Sequence, residues 1–65
     1  MQMSNTMTDV QYAREMIPHH QMAVDMSKKL LRGEPRPKIK AFAEKVIEAQ
    51  TKEIEWLREW LKNNA

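Results

Sequence analysis

The chain has 65 residues, 42% of them hydrophobic and 31% charged, with no Cys and a formal net charge of +2. That size allows one small domain, the absence of Cys excludes disulfide staples, and the weak net charge gives no ground for a nucleic-acid partner. Chains below about 70–80 residues usually need a staple, and with disulfides excluded a metal or a partner chain remains. No run approaches the roughly 18 apolar residues of a membrane span. The N-terminus lacks the basic-then-apolar order of a signal peptide, so neither a span nor a leader is expected within the sequence. A Cys-free composition suits the cytoplasm and the cell envelope equally.

In chain order, residues 1–7 read as a flexible tail carrying Met1, Met3 and Met7, and residues 8–65 as a single helical-hairpin domain. The first helix is expected from about residue 8 to 32. Thr8 and Gln11 have the spacing of a capping box, and Gly33 followed by Pro35 and Pro37 stops the helix. Pro18 removes one helical hydrogen bond and crowds the carbonyl of Arg14, at a cost of about 3 kcal/mol. The apolar stripe keeps its phase across it, which predicts a kinked but continuous helix. Lys28, Lys29, Arg32, Arg36, Lys38 and Lys40 cluster around the turn and read as solvated.

The second helix is expected over about 37–62, with no Gly or Pro beyond its first residue. Ile39, Phe42, Val46, Ala49, Glu53, Trp56 and Trp60 follow alternating three- and four-residue steps, and Ala43, Leu57 and Leu61 widen that stripe. On the first helix Tyr12, Met16, Ala23 and Leu30 run beside Ala13, Ile17, Val24 and Leu31. Matched lengths and a short turn predict an all-α antiparallel two-helix hairpin. Each apolar arc covers roughly half the helix circumference, wider than the ~100° that one neighbour covers. Pairing of two hairpins into a four-helix bundle, a homodimer, follows as the expectation.

The chemistry-bearing residues fall on two lines of the first helix. His20 lies near the middle of the apolar face, on the line of Met16, Ala23 and Ser27. The adjacent His19 lies at its edge, on the line of Glu15, Met22 and Met26. Across from His20, Gln50 and Glu53 sit inside the second apolar arc. A carboxylate buried there needs a partner, and His20 is the natural one, from the same chain or a dimer mate. This pair either ligates metal or belongs to a His–Glu–Gln network that sets helix register.

All six methionines fall in the first 26 residues, whereas the second helix fills its apolar arc with other residue types. Thioether and imidazole together favour Cu(I) or Ag(I) over hard divalent ions. His19, Met22 and Met26 form the expected site, with Met16 as a fourth ligand and with His20 and Glu53 as further candidates. Other chemistries fail on spacing. Glu-x-x-His and His-Glu-x-x-His are absent, and a single Gly supports neither a phosphate loop nor a nucleophile elbow. No catalytic residue is assigned, and the chain reads as a binding protein rather than an enzyme.

The strings MIPHHQMAVDM, LLRGEPRP and AEKVIEAQTKEI, with WL after them, resemble the bacterial domain-of-unknown-function family numbered 305. The resemblance runs from about Asp9 to Leu61. It implies a ferritin-like helical bundle, export to the periplasm or cell envelope, and a link to copper or silver handling in some members. Met16, His19, His20 and Met26 are its signature positions, with Gln50, Glu53 and Trp60. Members often have Met where this chain has Leu57, so a thioether from the second helix is missing. Many members carry the motif twice and this chain carries it once, in keeping with half a bundle. The expectation is a homodimeric Cu(I)- or Ag(I)-binding protein for metal buffering or tolerance. The alternative is a metal-free helical interaction module.

Overall fold

A computed structural model describes residues 5–65. Two helices, α1 (Asp9–Arg32) and α2 (Pro37–Asn64), pack against each other as a hairpin, and no strand occurs among the described residues. Of the tail methionines, Met1 and Met3 lie outside the described residues. Met7 is described, and it lines a cleft with Tyr12, Trp56 and Trp60.

Local chemistry sets each boundary. Thr8 caps α1 reciprocally with Gln11: the Gln11 amide donates to Thr8 Oγ1 at 3.1 Å, and the Thr8 amide donates to Gln11 Oε1 at 2.8 Å. Asp9 in the first turn and Lys29 and Arg32 in the last complement the helix dipole. The helix continues through Pro18 without interruption. It ends where the Gly33 amide reaches the Leu30 carbonyl at 3.0 Å. Pro37 opens α2 at a position where its missing N–H costs nothing, and it holds Arg36 extended at φ −60°, ψ 151°. At the far end, the Asn63 and Asn64 side-chain amides donate to the Glu59 and Trp60 carbonyls, and the Ala65 amide donates to the Leu61 carbonyl at 2.9 Å.

The turn places its left-handed residue at Glu34 (φ 55°) rather than at Gly33 (φ −93°). A side chain in that region is strained by about 1 kcal/mol. Glu34→Gly is therefore expected to raise stability by about 0.5–1 kcal/mol, less the greater freedom of Gly in the unfolded chain. A lower urea midpoint for the variant would show that the turn does not hold this conformation in solution.

The core between the helices is narrow. Ala13 and Val24 of α1 meet Ala43, Ile54 and Leu57 of α2, and the buried polar residue is His20. Alanine at two of these positions lets the backbones approach closely. The α1 line through Ala13 and Val24 thus faces α2, while Tyr12 and Leu30 of the neighbouring line stay exposed. On α2, Ala43 and Leu57, expected only to widen the stripe, make the core with Ile54, which lay on neither expected line, and most of the long stripe turns outward. Phe42 and Trp56 are 62% and 64% exposed. The reason is geometric, since one neighbouring helix covers only part of a half-circumference arc.

Candidate functional site

His20 sits halfway along α1 and is 8% exposed. Its Nδ1 lies 2.9 Å from the Met16 carbonyl, one helical turn back. A carbonyl only accepts, so Nδ1 carries a hydrogen and the ring is fixed with Nε2 directed at α2. There Glu53 Oε1 stands 2.5 Å away. The two side chains form the hydrogen bond that joins α1 to α2. A ring held through Nδ1 by a backbone carbonyl is one of the arrangements found in metal-ligating histidines. Tyr12, Met16, His20, Glu53, Trp56 and Leu57 line a cleft of about 230 Å³ around the pair.

The structure places Glu53, Gln50 and Met16 as follows. Glu53 is not buried within one hairpin: its side chain is 55% exposed, because the α2 face it shares with Trp56 has no neighbour. Gln50 is half-buried but does not join the pair, and no hydrogen bond links it to either residue among the described residues. Met16 lines the His20 cleft and not the grooves around Met22 and Met26, so the fourth-ligand role at the outer stripe is not what the structure brings together. A helix turns 100° per residue, and Met16 stands on the His20 line rather than the His19 line.

The outer stripe is a separate place. His19 and Met22 share a shallow groove with Glu15 and Pro18. Met22 and Met26 share the next one with Pro18, Gln21, Asp25 and Lys29. Met22 and Met26 are 59% and 67% exposed, so neither fills the core between α1 and α2. No group of three or more His, Cys, Asp or Glu residues able to hold a metal occurs among the described residues. Sequence reasoning did not foresee Tyr12 and Trp56 as walls of the His20 cleft. The signal was available: Tyr12, Met16 and His20 recur every four residues, and Glu53 and Trp56 are three apart, so each set lies on one helix face.

No helix among the described residues is long and apolar enough to cross a membrane. A stretch covering 71% of the chain is 46% identical, over 46 residues, to an uncharacterized protein of Acanthamoeba polyphaga mimivirus, and it spans 30% of that protein's length. No solved structure matches the chain. Residues 5–65 match the family described as Domain of unknown function (DUF305). With the match covering both helices and the turn, the chain belongs to the DUF305 family.

Proposed function

We propose that this chain binds a soft monovalent metal ion, Cu(I) or Ag(I), through His19, Met22 and Met26, and serves metal buffering or tolerance in the cell envelope as a homodimer. One observation carries the reading: two long thioether side chains stand in solvent beside an exposed histidine, on a helix whose buried line needs neither of them. Apolar side chains left at such exposure add nothing to the hairpin core, and sulfur with imidazole is a donor set suited to Cu(I). The three- and four-residue spacing keeps the donors on one face, and Pro18 lines both grooves.

The test is anaerobic Cu(I) titration against a competing chromophoric chelator. Met22→Leu with Met26→Leu conserves volume and helix propensity, so circular dichroism should be unchanged while Cu(I) affinity falls at least about tenfold, or about 1.4 kcal/mol. Unchanged affinity would return both methionines to a packing role. A second reading, a metal-free interaction module, is favoured by the interhelix bond between His20 and Glu53. Under that reading the wild-type chain competes for no Cu(I) at all.

A further inference from the structure

We propose that two copies of this chain together build a site for a divalent cation of the Zn(II) type, with His20 and Glu53 of each copy as its four ligands. The inference rests on the homodimer in the reading above and is independent of its soft-metal site.

The occupant of the open face follows from the size and shape of the hairpin. The molecule measures 15 Å in its thin dimension, a single layer of helices, whereas a hydrophobic core needs two layers. Its accessible surface is 5769 Å². A compact monomer of 7.7 kDa would expose about 4,300 Å². Exposed residues 5–7 contribute to the excess, and so does the uncovered face. Tyr12 and Leu30 of α1 and Ile39, Phe42 and Trp56 of α2 are its exposed large apolar residues. The surplus matches the scale of one side of an obligate interface, about 1,000 Å² or more per partner. A second copy supplies a face of the same length and composition, and its pairing is isologous by symmetry.

The position of His20 makes such a pairing consequential. It stands at the midpoint of α1, and its cleft with Glu53 and Trp56 opens beside the uncovered residues. A two-fold axis along the hairpin places every residue level with its mate. An axis across the hairpin at mid-length does so for the middle residues. Both arrangements bring the two His20–Glu53 pairs to one level.

A single chain offers two hard ligands there, short of a site, in keeping with the absence of any group of three among the described residues. Two copies supply two imidazoles and two carboxylates, a tetrahedral N2O2 set that suits Zn(II). The Met16 carbonyl holds Nδ1, so Nε2 and the Glu53 carboxylate already face each other as one half of the set. Around a tetrahedral ion with bonds of about 2.0–2.2 Å, nitrogen and oxygen stand roughly 3.3 Å apart. The 2.5 Å pair must therefore open by somewhat less than an ångström. Glu53, half-exposed and on a flexible stem, makes that movement while the ion takes the place of the hydrogen bond.

The experiment is calorimetric Zn(II) titration and Co(II) absorption on the full metal-free chain, with sedimentation equilibrium on the same samples. One ion per two chains, tetrahedral Co(II) bands and a metal-strengthened dimer are expected. Glu53→Gln keeps the shape of the side chain but should weaken Zn(II) binding at least tenfold. Met22→Leu with Met26→Leu should leave it unchanged. Stoichiometry and the Co(II) spectrum of the unaltered chain decide the matter even if Glu53→Gln folds poorly. One ion per chain, or binding indifferent to Glu53→Gln, overturns the shared site. A dimer that takes no Zn(II) overturns the site and leaves the dimer standing. A folded monomer overturns both, while Cu(I) binding retained in either case shows the soft-metal reading to be separate.

Discussion

Leu57→Ala is expected to remove about 2–5 kcal/mol of stability, the usual cost of truncating a buried leucine. A 65-residue domain at ordinary specific stability holds only about 3–10 kcal/mol in total. The substitution should therefore take a large part of it and lower the urea midpoint accordingly. Leu57 is 8% exposed and, with Ile54, supplies most of the large apolar volume that α2 presents to α1. The alanines at 13 and 43 cannot refill the space, because they are small residues fixed on helix backbones. Urea denaturation followed by circular dichroism measures the effect. A loss below about 1 kcal/mol would mean that α2 is rotated and that another stripe faces α1.

Substitutions at His20 and Glu53 should be unequal in the metal-free protein. Glu53→Leu leaves the Nε2 of a buried imidazole without a partner, which costs about 1–3 kcal/mol. His20→Leu should cost less. The half-exposed Glu53 can turn into water, and the Met16 carbonyl keeps its helical hydrogen bond from the residue 20 amide. The double Leu variant should fall well short of the summed single losses, since removing both partners leaves nothing unsatisfied. Additive losses in the cycle would show that the two side chains do not act together. Greater damage from His20→Leu than from Glu53→Leu would show that the Glu53 carboxylate, left unpaired, has no route to water.

The sequence by itself determined the elements, because their signals are local. Thr8 with Gln11, then Gly33, Pro35 and Pro37, act through backbone hydrogen bonds and dihedral limits within a few residues, and the boundaries of α1 and the start of α2 follow from them. Only the far end of α2 ran on, to Asn64, where the Asn63 and Asn64 side chains bond back to the Glu59 and Trp60 carbonyls, contacts that periodicity does not encode. The partnership of His20 with Glu53 was also legible, since a histidine and a carboxylate on facing apolar arcs have few other ways to be satisfied.

The tertiary structure decided which part of each wide arc meets the other helix. Periodicity marks every apolar position alike, and the most regular stripe, through Phe42 and Trp56, turned outward because small residues at 13 and 43 let the helices pack closely along another line. That choice left Glu53 half-exposed, set Gln50 apart from it and placed Met16 in the His20 cleft, away from Met22 and Met26. Each outcome depends on the rotation of one helix about its axis relative to the other. A sequence carrying two adjacent apolar lines on each helix does not specify that angle until the volumes of the facing side chains are fitted together.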